Sequence, residues 1–209
     1  MPAPADLRLL AAARQGDAAA VRAALAEGAR TEVRDEELRS PLLLAALGDH
    51  VEAARALVAA GADVNARDAR HDSPWLVTGA TGSVAMMRVL LTADPAPDVT
   101  LRNRFGGVSL IPAAERGHAA YVKAVLQETA IDVDHVNDLG WTALLEAVIL
   151  GDGGRAHQKV VALLLAAGAD RDLPDAHGTT ALEHAERRGF DTIAALLRDA
   201  AGAPAEAPA

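Results

Sequence analysis

The chain has 209 residues, no cysteine and a formal charge of −9, from 20 basic and 29 acidic residues. Without cysteine there is no disulfide framework, thiolate metal site or cysteine nucleophile, and a field of that sign repels phosphate backbones, which argues against non-specific nucleic-acid binding. Hydrophobic residues make up 51% of the chain but aromatic ones only 2%, so the interior has to be built from Ala, Leu and Val at close helix spacing, with few rings as anchors.

The opening MPAPADLRLLAAARQGD lacks a basic leader, and Arg8 and Arg14 interrupt its apolar run, so it is not expected to be a secretory signal. Its Ala12-Ala13 pair begins a series of small residues that let helices approach closely, and Gly28 supplies a left-handed stop. Ser40-Pro41 then places a hydroxyl cap before a proline at the first helical position, where the missing N–H costs nothing. A second helix follows, with Ala54, Leu57 and Val58 on one face and a stop at Gly61. The run DVNARDARHDS from Asp63 is rich in turn formers, and Ser73-Pro74 starts the next helix. That segment closes on TADPAPDVT, without a capping glycine, so its second helix should end at or before Asp94.

DVTLRNRFGG from Asp98 and DVDHVNDLGW from Asp132 are two more turn-rich runs, with Ala113-Ala114 between them. TALLEAV from Thr142 opens another helix, and VVALLLAAGAD carries Val161, Leu164 and Leu165 to a stop at Gly168. Between these two helices GDGGRAHQK, from Gly151 to Lys159, contains five extra residues, an insertion that surface loops tolerate at small entropic cost. TTALEHAERRGFDTIAALLRD closes the series with a polar outer face suited to a cap. AGAPAEAPA from Ala201 reads as a disordered tail. No run of 18 residues escapes charged or helix-ending residues, so no membrane span is expected.

These segments start at Leu7, Ser40, Ser73, Val108, Thr142 and Thr180, at spacings of 33, 33, 35, 34 and 38 residues. A period near 33 carrying T-P-L-H-x-A-A, then G-H, then L-L-x-x-G-A-D is the signature of the ankyrin repeat. The chain resembles that family over roughly Asp6 to Ala200, most fully in SPLLLAALGDHVEAARALVAAGADVNARD. The resemblance implies an all-α fold, an ankyrin-repeat solenoid of six helix-turn-helix repeats with β-hairpin fingers. It also implies a single domain over residues 1–200 and a tail over 201–209, of the small stand-alone bacterial type. The family tetrapeptide usually ends in His, whereas here the position holds Leu10, Leu43, Leu76, Ile111, Leu145 and Glu183. Apolar packing is therefore expected to replace the usual Thr to His hydrogen bonding.

In such proteins partners usually meet the finger tips and the exposed side of the first helices. Carried over repeat by repeat, the finger positions include Arg70, Arg104, Phe105, Asp138 and Trp141, and the helix positions include Glu115, Arg116 and Leu150. The whole set of such positions holds seven Arg against five acids, a local excess of about +2 on a chain of −9. Arg104, Phe105, Arg116 and Trp141 are expected to anchor a protein partner with an acidic or mixed surface, since Trp and Arg are enriched among interface hot spots. Equally, both rings could pack between adjacent fingers. Trp75, Tyr121 and Phe190 read as core.

The sequence carries little chemistry. Asp170, Asp172, Asp175 and His177 offer hard ligands at close spacing, yet Asp63, Asn65 and Asp68 stand at the same places earlier, which makes the set a turn pattern. GDGGRA lacks the Lys-Ser or Lys-Thr of a phosphate loop, and no nucleophile elbow is present. The expectation is a protein–protein interaction module, a scaffold, adaptor or inhibitor, binding on its concave face. No catalysis, cofactor, metal, nucleic acid or membrane is expected, and the chain should be a cytoplasmic monomer, a removed signal leaving the periplasm or secretion open. The alternative is a small-ligand or metal-binding module using the 151–159 insertion through Asp152, His157 and His177. A third reading is an enzyme subunit whose pocket forms on oligomerisation.

Overall fold

A computed structural model describes residues 3–199; the tail expected over 201–209 lies outside the described residues. These form twelve helices and, among the described residues, no strand. Two compact units divide the chain after Arg104.

The first unit holds α1 (Pro4–Gln15), α2 (Ala18–Ala26), α3 (Pro41–Leu47), α4 (Val51–Ala59), α5 (Pro74–Thr81) and α6 (Val84–Leu90). The second holds α7 (Leu110–Glu115), α8 (Ala119–Glu128), α9 (Ala143–Ile149), α10 (Arg155–Ala166), α11 (Ala181–Arg187) and α12 (Asp191–Asp199). Each repeat contributes one helix pair. Within the first unit α1, α3 and α5 pack in succession, as do α2, α4 and α6. The second unit repeats the scheme with α7, α9 and α11 in one row and α8, α10 and α12 in the other.

Local chemistry sets the helix starts. Ser40 Oγ accepts the Leu43 N–H at 3.1 Å, Ser73 Oγ that of Leu76 at 3.2 Å, and Thr142 Oγ1 that of Leu145 at 3.2 Å. Thr180 and Glu183 cap reciprocally, the Thr180 N–H donating to Glu183 Oε2 at 2.9 Å. This last contact is the use found for the one polar residue in the His position of the tetrapeptide. The others, Leu10, Leu43, Leu76, Ile111 and Leu145, are buried. Ala13, Ala45, Ala46, Ala113 and Ala114 have no exposed surface, so neighbouring backbones approach to the depth of a methyl group. Trp75 and Tyr121 are fully buried. Phe190 is half-buried under the Arg188 guanidinium, 4.6 Å from its ring centre.

The fingers are hairpin-like turns closed by one asparagine or aspartate each. The Asp35, Asp68, Asn137 and Asp175 N–H groups donate to the carbonyls of Arg39, Asp72, Trp141 and Thr179, at 2.9 to 3.1 Å. Each of these side chains returns one oxygen to the N–H groups two and four residues on, as Asn137 Oδ1 does to Leu139 and Trp141, both at 3.0 Å. Asp170 Oδ1 accepts the Asp172 N–H, and Asp175 Oδ1 those of His177 and Thr179. The acidic run before α11 thus spends these oxygens on its own turns. Successive repeats are tied by a side chain reaching the next turn: Glu32 Oε1 takes the Asp63 N–H, Asn65 Oδ1 that of Asp98, and Asp134 Oδ1 that of Asp170.

Candidate functional site

In the second unit, neighbouring fingers are joined by the Asp138 N–H donating to the Phe105 carbonyl at 3.0 Å. This bond sets the Phe105 backbone against Asp138, the residue before Leu139. Gly106 allows the approach, for its φ is +74° and a Cβ there would lie 2.2 Å from the Asp138 carboxylate. His135 donates Nε2–H to the Gly106 carbonyl at 2.7 Å and fixes the same loop from behind. Phe105 is left 51% exposed and Leu139 52%, while Trp141 is half-buried at the base of its finger. Of the two aromatic residues, Phe105 is therefore the more exposed.

The expected helix positions stand at the ends of α7 and α9. Arg116, exposed, caps the C-terminus of α7 directly after a half-buried Glu115, and Leu150, 49% exposed, caps that of α9. Asp138 is exposed on the finger tip. Val136 is exposed as well. Phe105, Leu139 and Asp138 are brought together through the backbone bond, and Trp141 joins them through Asn137.

Arg70 and Arg104 belong to the first unit. Arg70 is exposed, its N–H held by Asp68 Oδ1 at 2.8 Å, and Arg104 approaches the Asp72 carboxylate at 3.9 Å. Burial, then the charge of Asp68, raise the Asp72 carboxyl above its ordinary range, and Arg104 offsets part of that. The first unit's fingers also hold Arg39 against Asp35 and Glu37, and Arg14 against Asp35. Charge on this side is largely paired within the unit. An open groove of about 720 Å³ runs between α1 and the first finger, lined by Leu7, Leu10, Arg14, Arg34 and Arg39 among others.

Two residues beneath the second unit's fingers lie outside the expected set. Glu146 lies in α9 with 6% of its surface exposed, and Asn137 donates its Nδ2–H to Glu146 Oε1 at 2.8 Å. Burial first, then the charge of Glu115, push the Glu146 carboxyl up to about 7 against the pull of the Asn137 bond. A carboxylate inside the apolar stripe of TALLEAV was the signal available. Leu38, exposed on the first finger, also falls outside the expected set.

Asp152 and His157 of the insertion do meet. His157 Nδ1 lies 2.7 Å from Asp152 Oδ1, and Nε2–H donates to the Glu115 carbonyl at 2.8 Å. Both ring nitrogens are thus occupied inside the protein. The contact repeats the one His50 makes in the first unit, where Nε2–H donates to the Arg14 carbonyl at 3.1 Å. His177 sits apart, exposed on the finger before α11. Among the described residues no three His, Asp or Glu side chains are placed to share a metal ion, and no helix is long and apolar enough to cross a membrane.

Comparison with known proteins bears on the whole chain. The family described as ankyrin repeats (3 copies) matches residues 8–68, 76–173 and 110–206. The ankyrin repeat protein YahD of Escherichia coli K12 is 43% identical over 194 residues, covering 93% of this chain and 94% of YahD. Among solved structures, an ankyrin repeat domain from Acinetobacter baumannii AYE is 44% identical, with a TM-score of 0.86 over 92% of this chain and 97% of that one. The ankyrin repeat protein EF0377 is 38% identical, with a TM-score of 0.87 over the same shares.

Proposed function

This chain belongs to the ankyrin repeat family, whose repeats generally serve protein–protein interaction and are typically not enzymes, and from that premise we propose that it is a scaffold, adaptor or inhibitor whose principal docking surface lies on the second unit. The observation that carries this reading is the pair of exposed apolar residues Phe105 and Leu139, on neighbouring fingers tied by the Asp138 to Phe105 backbone bond. Rings and aliphatic side chains left in water at a fixed place are the usual anchors of an interface. Arg116, Glu115, Asp138 and Leu150 supply a rim of both charge signs around an apolar centre, which suits a partner with a mixed surface. Arg70 and Arg104 are proposed as polar contacts on the first unit's fingers. Their guanidinium groups stand among carboxylates, which favours a peripheral role over an anchoring one.

The test is partner capture by the wild-type protein and by a variant carrying Phe105→Asp, Trp141→Ala and Arg116→Glu. Loss of an anchor worth about 2 kcal/mol corresponds to a drop of roughly 30-fold in affinity. Leu38→Asp, on the first unit, should leave capture intact. Undiminished capture by the triple variant, with its helical circular dichroism and cooperative unfolding preserved, removes the assignment of the surface.

A further inference from the structure

We propose that Leu38 and His71, at the tips of the first unit's first two fingers, form a docking site separate from that of the second unit. Its occupant is a segment of a partner protein in which an aliphatic residue is followed by carboxylates. The starting point is backbone conformation. The tip residue is left-handed in both units: Leu38 at φ +61° and His71 at +64° in the first, Gly140 at +77° and Gly178 at +79° in the second. The turns are otherwise alike, since the N–H of each of these residues donates to the carbonyl of Asp35, Asp68, Asn137 or Asp175 in the same order, at 2.9 to 3.1 Å. Glycine takes that conformation without steric cost, whereas a Cβ there crowds the following carbonyl.

The first unit does not recover that cost. Leu38 is 54% exposed. His71 is exposed too, and its imidazole makes no hydrogen bond or ion pair among the described residues. Neither side chain is needed by its turn, which glycine builds equally well in the second unit. Strain of this kind, left unrelieved by the interior, marks residues held out for a ligand. The two tips are also fixed to one another, because the Ala69 N–H donates to the Glu37 carbonyl at 3.0 Å. They are thus presented as one edge whose ordering is complete before a partner arrives.

Charge specifies the occupant. On the second finger Asp68 is buried, its Oδ1 given to the Arg70 and Asp72 N–H groups, and Asp72 is half-buried beside Arg104. Arg67, Arg70 and Arg104 are exposed. The carboxylates here are the withdrawn groups and the guanidinium groups the accessible ones, which favours acidic side chains over this finger. On the first finger Asp35 and Glu37 pair with Arg39, while Glu36 stays exposed and disfavours an acid next to Leu38. An uncharged aliphatic residue suits that end, where the open groove lined by Leu7 and Leu10 adjoins the same finger. The second unit, with eight basic residues against fifteen acidic, repels the same segment.

The probe is a labelled synthetic peptide, Leu-Leu-Glu-Glu-Glu-Glu, titrated into the full chain and followed by anisotropy and by amide NMR shifts. Its control has lysine in place of glutamate. The acidic peptide should shift the amides of Glu37, Leu38, Arg70 and His71, and raising salt from about 50 to about 500 mM should weaken it severalfold. The double variant Leu38→Gly with His71→Gly should bind it roughly tenfold more weakly, yet unfold at a urea concentration no lower than wild type. Equal binding by the double variant, equal binding of the lysine peptide, or no shifts at the two tips overturns the site. So does a urea midpoint below wild type, which would mean that the two side chains serve the fold. The variant carrying Phe105→Asp, Trp141→Ala and Arg116→Glu should bind the peptide as wild type does, so this site and the second unit's surface fail separately.

Discussion

Asp6 is a surface-type residue placed where almost none of it meets water, and it accepts four N–H bonds: from Ala3, and from the Arg30 backbone, Nε and Nη2 at 2.8 to 3.1 Å. The Arg30 side chain, foremost, holds its carboxyl down at about 2, and the Thr179 N–H followed by His184 does the same for Asp175. A carboxyl with a folded pKa below its unfolded value adds stability that is complete above about pH 4 and lost as pH falls toward 2. Thermal melts between those limits should show a falling midpoint in wild type and a shallower fall in Asp6→Asn, which has already forfeited the ionic bonds. Glu146 has the opposite sign. Its folded pKa lies above the unfolded one, so stability declines as pH rises from about 4.5 to about 7 and is level beyond. Glu146→Gln should unfold at a higher urea concentration than wild type at pH 8, by at most about 3 kcal/mol, and with little difference at pH 5; an unchanged midpoint at pH 8 would count against the buried anion.

At the scale of the element, the histidine between the two helices of a repeat is a small brace with two versions. His50 precedes α4 and holds the end of α1, through Nε2 and the Arg14 carbonyl; Gly16, at φ +75°, leaves room for the ring, since a Cβ would stand 2.4 Å from it. His157 makes the equivalent bond from inside α10, because the five-residue insertion lies between α9 and α10 and the imidazole comes from the first turn of the second helix. His157→Ala leaves the part-buried Glu115 carbonyl without its partner and should cost about 1 kcal/mol in urea unfolding, more than His50→Ala, whose brace is exposed to solvent. Helix starts were legible in the sequence for a local reason: Ser40, Ser73, Thr142 and Thr180 cap within three residues, and prolines at 41 and 74 fix the first turn. The insertion was legible as extra length, but its histidine read as a loose ligand, because the Glu115 carbonyl it serves is 42 residues away. The Asn137 to Glu146 bond spans only nine residues and was still hidden, since it exists only after the finger folds back on α9. Likewise the positions of Phe105 and Trp141 were readable and their unequal exposure was not, for it is decided by which neighbour each finger leans on.

Across the whole molecule the charge is unevenly divided. The second unit holds eight basic against fifteen acidic residues, −7 of the total −9, while the first holds twelve against fourteen. The proposed anchors, Phe105, Leu139 and Trp141, are uncharged, so the field and the contact act at different stages of binding. Charge governs the approach over about a Debye length, roughly 10 Å at 0.1 M salt, and the fit of rings and aliphatic side chains governs departure. For a captured partner with a net positive rim, raising salt from about 50 to about 500 mM should slow association severalfold and leave the dissociation rate nearly constant. Trp141→Ala should do the reverse, hastening dissociation with little change in association. A Trp141→Ala variant that altered only association would mean that the ring never enters the interface, and the anchoring role would pass to Phe105 and Leu139 alone.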